Sequence, residues 1–354
     1  MLKFLLFPFA VFWALFMRIR RDFYDNGRRI IYKKPVICVG NLCMGGSGKT
    51  PHVEYLANLL KKNQFNVAIL SRGYKRKTKG FRFADASSSS KDIGDEPLLF
   101  YKKHKDVSIA VCENRIEGLD KIMKQKPATN VFLLDDAYQY MPLRAGLSIL
   151  LSDYYNRYTE DFVFPAGKLR EGRSATKDAD IIIITKSPKT IPTIEERMIL
   201  NKIRPFPHQK VYFSYIEFGD ITPLTSKAEN LPKESIKSAV AVCGIANPYP
   251  FLEYVNSHFQ ERQQIVFSDH HHFTKKDIEK IHKFFDRSMQ KNCAVITTEK
   301  DAMRLLSSEW EKEVEKLPIF YIPIETKFHP KYKEDFDEQI LEYVRKNTKN
   351  SLFY

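Results

Sequence analysis

Lys49 and Thr50 close the run Gly45-Gly46-Ser47-Gly48, an order of residue types suited to gripping the phosphates of a nucleotide. Glycines let backbone N–H groups close on phosphate oxygens, and a helix N-terminus adds its dipole. A lysine there reaches the β and γ phosphates, and a threonine hydroxyl reaches Mg²⁺. The flanking residues fit this use. The apolar run 36–39 lies between Pro35 and Gly40 and predicts a buried parallel strand. Val53, Leu56, Leu59 and Leu60 recur at helical spacing, with Pro51 in the first turn. Cys43, Met44, Gly45, Gly46, Ser47, Gly48, Lys49 and Thr50 are therefore the expected phosphate loop, although G-x-x-x-x-G-K-[ST] asks for glycine where Cys43 stands. A glycine-rich turn that holds nothing is the competing account. The order of strand, loop and helix speaks against it.

Three further groups of residues carry chemistry. The apolar run 131–134 ends in Asp135 and Asp136. A carboxylate at that end of a strand holds Mg²⁺ directly or through water. Gly94-Asp95-Glu96-Pro97 precedes an amphipathic helix over 98–103. Its acids either offset the helix dipole or act in catalysis, and the residues alone leave both open. In Asp269-His270-His271-His272, adjacent side chains of an extended segment point to opposite faces, so three cannot easily share one metal. One histidine acting as acid–base partner or orienting a carboxylate is the better reading; a metal site and a solvated loop are the alternatives. Basic residues gather at 72–82, interleaved with Tyr74 and Phe81, and at 168–173. The first cluster suits a phosphorylated lipid head group or nucleic acid.

The elements that must position these residues alternate. Strand-like runs at 67–70, 108–112, 147–151 and 181–184 are separated by helical patterns, as at 113–124. This is an α/β chain with a mostly parallel sheet flanked by helices. Pro205, Pro207, the tyrosine-rich strand 211–218 and Pro223 read as a boundary. Beyond it, strands at 239–243, 265–267, 294–297 and 319–324 alternate with helices at 250–258, 274–288 and from 299, a second and smaller α/β set. The expected division is 1–30, 31–210, 211–332 and a closing helix in 333–354. Residues 4–17 carry no charge and are followed by Arg18, Arg20, Arg21, Arg28 and Arg29. The run is shorter than the roughly 20 residues of a spanning helix and has no small-residue cleavage site. It reads as an uncleaved membrane anchor, with the arginines keeping the rest on the cytoplasmic side. A buried core helix is the alternative, made less attractive by aromatic residues and the lack of a polar face.

The chain has 354 residues, a formal charge of +14 and ordinary apolar content, which excludes a disordered chain and favours anionic partners. Its five cysteines form no CxxC pair, which argues for a reducing compartment and against a disulfide or zinc framework.

In order, VGN…GGSGKTP (39–51), SRGY (71–74), GDEP (94–97), LLDDAYQY (133–140), PAGKLRE (165–171), DHH (269–271) and TTEKD (297–301) resemble the tetraacyldisaccharide 4'-kinases, membrane-associated kinases of lipid A biosynthesis. That family does not keep a glycine at Cys43. It usually reads DDGFQH where this chain has DDAYQY, so Tyr140 stands in place of a histidine and no histidine role carries over there. The resemblance implies a P-loop NTPase-like kinase that uses ATP and Mg²⁺. It would phosphorylate the 4'-hydroxyl of a tetraacylated glucosamine disaccharide 1-phosphate, giving lipid IVA. It implies Lys49 on the triphosphate, Asp95 as base paired with His270 or else His271, and a metal environment of Thr50, Glu96 and Asp135 or Asp136. Arg72, Arg115, Lys168 and Arg170 would contact phosphates. The implied setting is the cytoplasmic face of the inner membrane, with the lipid as partner, no nucleic acid, and a monomer. The rivals are a membrane-associated P-loop kinase or ATPase with another acceptor, and a nucleotide-binding scaffold with little turnover.

Overall fold

The computed structural model describes residues 2–287, 292–306 and 309–350. Residue 288 of the helix expected over 274–288, and the last four residues of the expected closing segment, lie outside these. In chain order the elements are α1 (Leu2–Asp25), β1 (Val36–Asn41), α2 (Lys49–Lys62), β2 (Val67–Ser71), β3 (Arg82–Phe83), α3 (Ser90–Ile93), α4 (Asp95–Lys103), β4 (Ser108–Val111), α5 (Arg115–Gln125), β5 (Val131–Asp135), β6 (Leu147–Asp153), β7 (Ile181–Thr185), α6 (Thr193–Ile203) and β8 (Lys210–Phe218). There follow β9 (Thr222–Pro223), α7 (Ser226–Glu229), β10 (Ser238–Cys243), α8 (Tyr249–His258), β11 (Glu261–Val266), α9 (Lys275–Arg287), β12 (Cys293–Thr298), α10 (Glu299–Leu306), α11 (Glu311–Val314), β13 (Ile319–Ile322), β14 (Ile324–Phe328) and α12 (Pro330–Asn350).

Two sheets organise them. The larger runs β14-β8-β7-β6-β1-β5-β2-β4-β3, parallel except for β3 and β14 at its edges. In β1, Val36 and Cys38 enter the core on one face while Ile37 and Val39 enter the core on the other. Helices α5 and α6 cover the first face through Leu119, Ile122, Ile199 and Ile203. Helices α2 and α12 cover the second through Val53, Leu56, Leu60, Phe336, Ile340 and Val344. Burial on both faces is why the central strands read as continuous apolar runs. The second sheet runs β11-β10-β12-β13-β9, parallel save for β9.

The boundary expected at 211 falls inside this larger sheet. Strand β8, which the sequence pattern assigns to the second unit, pairs in parallel with β7 and antiparallel with β14. Tyr212 and Phe213 are buried on its opposite faces. The run 319–324 is likewise two strands, β13 in the second sheet and β14 in the first, parted by Pro323. The backbone passes between the sheets at 219–221 and at Pro323, where Gly219 N donates to Pro323 O (2.9 Å).

Helix α1 lies against the 165–178 loop. Trp13 Nε1 donates to Arg170 O (3.0 Å), and buried Arg21 pairs with Glu171 (2.7 Å) and Asp178. Much of the rest of α1, including Leu5, Phe9, Phe12, Leu15, Phe16 and Ile19, is exposed. Among the described residues no helix is long and apolar enough to cross a membrane.

Candidate active site

The site forms at the C-terminal ends of β1, β5 and β2, where α/β sheets place ligands. After β1 the chain turns through Gly45 (φ +115°) and Gly48 (φ +84°), backbone conformations that favour glycine, into the N-terminus of α2. The turn is braced from several sides. Thr185 Oγ1 donates to Ser47 O (2.9 Å), Lys186 Nζ donates to Gly46 O, and Met44 N donates to Lys168 O (2.7 Å). Buried His52 bridges Gly48 O (2.7 Å) and Ser214 Oγ (2.9 Å). Burial pushes its imidazole down to about 4, so the ring is neutral and donates Nδ1–H to the carbonyl.

Lys49 Nζ stands 3.5 Å from Asn41 Oδ1 and 3.8 Å from Asp136 Oδ1. Asp135, at the end of β5, is fully buried, and neither carboxylate oxygen has a hydrogen-bond partner. Burial first, then the nearby Glu96 and Asp136, push it up to about 8. Asp136 takes a positive φ of +50° and turns toward Arg170, whose Nη1 donates to both its oxygens (2.9 and 3.2 Å) and to Gln139 Oε1 (3.1 Å). The two aspartates are thus unalike: one is engaged by arginine, the other is an orphaned buried acid. Among the described residues no three His, Cys, Asp or Glu side chains gather as a metal site. A phosphate-bound Mg²⁺ needs only one or two carboxylates, since phosphates and water fill its other positions.

Helix α4 starts at Asp95 itself, three residues earlier than its amphipathic pattern indicates. Burial would raise Glu96, but Lys300 (2.6 Å), Lys49 and Thr50 outweigh it and hold the carboxyl far below its ordinary value. Asp95 Oδ2 accepts from Arg304 Nε (2.8 Å) and lies 3.6 Å from His270 Nδ1. Burial would raise Asp95 too, and His270 and Arg304 together hold it below the usual range. His271 is elsewhere, bonded to Asp277 (3.0 Å) and stacked on Phe267. The positive φ of His270 (+55°) separates the two rings.

Of the expected phosphate ligands, Arg115 is buried, donates to Cys112 O (3.3 Å) and Glu113 O (2.9 Å), and lies over the Tyr140 ring. Burial, then Arg72, lowers its pKa. Arg72 and Lys168 have exposed side chains. Lys168 meets the phosphate loop through its backbone, and Arg170 N donates to Leu42 O just before it (2.6 Å).

Sequence reasoning quoted Lys300 and Asp301 within TTEKD without giving them a role, and it missed Arg304. A signal was there: spacings of three and four put Lys300 and Asp301 on one helix face with Arg304. It missed Thr185, Lys186 and His52 as well, which lack any local signature.

A glycine loop with a lysine at a helix N-terminus, and an acid at the end of the neighbouring strand, define a P-loop nucleotide-binding protein of the phosphotransferase kind. The chain belongs to the tetraacyldisaccharide-1-P 4'-kinase family, whose sequence profile matches residues 2–345. It is 38% identical to the tetraacyldisaccharide 4'-kinase of Bacteroides thetaiotaomicron (98% of this chain, 95% of that one). It is 39% identical to that of Flavobacterium johnsoniae (98% of each). Its fold matches a solved structure, the LpxK of Aquifex aeolicus in complex with ATP, with a TM-score of 0.74 and 28% identity over 97% of this chain and 100% of that one.

Proposed function

We propose that this kinase moves the γ-phosphate of ATP to the 4'-hydroxyl of a tetraacyldisaccharide 1-phosphate, with Asp95 as the base. The observation that carries the assignment is the position of Asp95. It is the first residue of α4, next to a Glu96 that Thr50 and Lys49 influence, so a hydroxyl beside Asp95 also faces the phosphate loop. The backbone of residues 43–50 and Lys49 hold the triphosphate and offset its charge, the largest task in phosphoryl transfer. Asp95 takes the hydroxyl proton as oxygen attacks the γ-phosphorus and the β–γ bridging oxygen leaves with ADP. Thr50, Asp135 and Glu96 would hold Mg²⁺, which supplies charge neutralisation at the phosphates. Asp135 is preferred to Asp136 because its oxygens have no other partner.

The chain works at the cytoplasmic face of the inner membrane, with α1 lying in the surface. Exposed Phe9, Phe12, Phe16 and Ile19 on α1 make an apolar face, which Phe162 and Phe164 extend, and Arg18 and Arg20 beside it are placed for anionic lipid head groups. One chain supplies every residue named here, so a monomer suffices.

In mixed micelles with labelled ATP, the wild type is expected to label the acceptor lipid and Lys49→Ala to lose roughly 10²-fold or more of that rate. No label in the lipid from a folded, ATP-binding wild type discards this acceptor. For the membrane reading, Phe12→Glu/Phe16→Glu is expected to weaken sedimentation with phosphatidylglycerol vesicles by at least about tenfold, since each buried phenylalanine contributes about 2 kcal/mol. Equal sedimentation of variant and wild type would remove α1 from the interface.

A further inference from the structure

The strand ends on the two sides of the phosphate loop each turn one side chain toward it. Asp136 after β5 (φ +50°) and Lys186 after β7 (φ +57°) are both left-handed, a backbone conformation that few residues other than glycine adopt. Asp136 lies on the reacting side, 3.8 Å from Lys49 Nζ. Lys186 has the other side. Its two chain neighbours are locked inward: Thr185 Oγ1 donates to Ser47 O (2.9 Å), and Ser187 Oγ bonds Ser214 O (3.0 Å) and His329 Nε2 (2.8 Å). The Lys186 side chain runs from the end of β7 past the end of β6 to the loop after β1. Its ammonium donates to Gly46 O and to Asp153 Oδ2 (2.9 Å), and Asp153 Oδ1 is held in turn by Tyr155 N (2.9 Å) and Asn156 N (3.2 Å). With the ammonium engaged twice the side chain is still 29% exposed, so its four-carbon stem is open to a ligand beside the loop.

The order β7-β6-β1-β5-β2 sets which end of a nucleotide comes here. Asp135 closes β5, and Glu96 lies by Lys49 and Thr50, so the γ-phosphate must face the β5 side of β1. The nucleoside is attached at the α end of the same short phosphate chain. It therefore leaves the loop on the opposite side, over the ends of β6 and β7. Lys186 is the side chain that spans those two ends. We propose that Lys186 is a nucleoside-contacting residue of the ATP site: its ammonium ties Gly46 to Asp153, and its stem is the surface on which adenosine lies. This rests on the reading of residues 43–50 as the triphosphate cradle.

A lysine suits both tasks. Its ammonium has donors only, which one carbonyl and one carboxylate satisfy, and its methylenes can lie along an apolar face while the head stays on polar partners. Asp153 at 2.9 Å offsets the charge, so this ammonium is committed to the loop and not to phosphate. Lys49 differs: its carboxylate neighbour Asp136 is 3.8 Å away, and its charge is left for the triphosphate. A lysine that only braced the loop would matter equally to every ligand with phosphates. One that also carries the nucleoside matters more to ATP than to a bare triphosphate.

The test compares ATP with inorganic triphosphate, which has the phosphates without the nucleoside. Isothermal titration in the absence of acceptor lipid gives Kd for both ligands, for wild type, Lys186→Met and Lys186→Ala. Lys186→Met keeps a stem and drops the ammonium, so it is expected to weaken both ligands and leave the ratio of their Kd values as in the wild type. Lys186→Ala removes the stem as well. It is expected to weaken ATP about tenfold more than triphosphate, roughly the worth of two covered methylenes. In wild type labelled with ¹³C-lysine, the Lys186 methylene resonances, assigned by their loss in Lys186→Met, should move upfield as ATP brings the face of adenine onto them, and triphosphate should cause no such shift. Equal weakening of both ligands in Lys186→Ala, or ATP binding without the upfield shift, overturns the role of Lys186 alone. If Lys186→Ala does not fold, the wild-type spectrum decides it. A folded wild type that binds neither ligand would overturn the reading of the phosphate loop, and this proposal with it.

Discussion

Asp95→Asn is expected to lower kcat by roughly 10²–10⁴-fold, the usual reach of a positioned general base, while ATP binding and melting temperature change little. The substitution keeps the size of the side chain and an oxygen to accept from Arg304 Nε (2.8 Å in the wild type). It removes the ability to take a proton together with the charge that faces Arg304, which keeps Asp301 (2.7 Å) as its ion-pair partner. His270→Ala is expected to lower kcat as well, and the double variant to be little worse than Asp95→Asn. His270 reaches the reaction through the same carboxylate, 3.6 Å away, and members of one unit are not additive. Rapid-quench measurement of lipid phosphorylation separates the chemical step from product release. A burst of wild-type size in Asp95→Asn would sink the base assignment, and clearly multiplicative losses in the double variant would sever His270 from it.

Asp135→Asn is expected to act in opposite directions on stability and on activity. Asp135 is buried without a partner, and burial, with Glu96 and Asp136 adding to it, pushes its pKa up to about 8. The unfolded chain has an ordinary carboxyl near 3.8. A raised carboxyl opposes folding. Between those two values the unfolded state has lost the proton and the folded state retains it, so this group's unfavourable contribution grows as pH rises from about 4 and levels off above about 8. The variant removes that contribution. Its ligand-free melting temperature should exceed the wild type's by a few degrees at neutral pH, and the gap should close toward pH 4. Magnesium–ATP should reverse the order. It stabilises the wild type by mass action, because a cation turns the buried acid from a liability into a ligand, and it stabilises the variant far less. Turnover should fall by about 10²-fold or more. Melting curves at several pH values, with and without magnesium–ATP, check both. A ligand-free variant less stable than the wild type, or an undiminished ligand shift, would refute this use of Asp135.

Local spacing carries the parts of the molecule that were legible in advance. Gly45 to Thr50 works because neighbours in the chain are neighbours around a phosphate, and the short apolar runs mark strands wherever both faces are covered. Sheet membership is not local. Tyr212 and Phe213 would suit a central strand of either sheet, and only pairing with β7 and β14 decides for the first. The same holds at the site. The resemblance left His270 and His271 as alternatives, and one backbone angle separates them. Arg304 meets Asp95 from 209 residues away, a pairing no spacing announces. Asp135 and Asp136 are identical in type and adjacent, and they differ because Arg170 reaches one of them.

The paired crossings beside Gly219 and Pro323 bear on how the chain is made. Everything from β9 to β13 is a loop out of the larger sheet, which resumes with β14 and α12. During synthesis the phosphate loop, β1 and α2 emerge early. The side chains that cover the α2 face, Phe328, Phe336, Ile340 and Val344, follow only after the whole second sheet. A nascent chain carrying the whole phosphate loop therefore has its apolar floor open until more than a hundred further residues have left the ribosome beyond β8. For that interval α2 and its strands present an uncovered apolar face, and the phosphate loop leads into a helix that still lacks its packing partner.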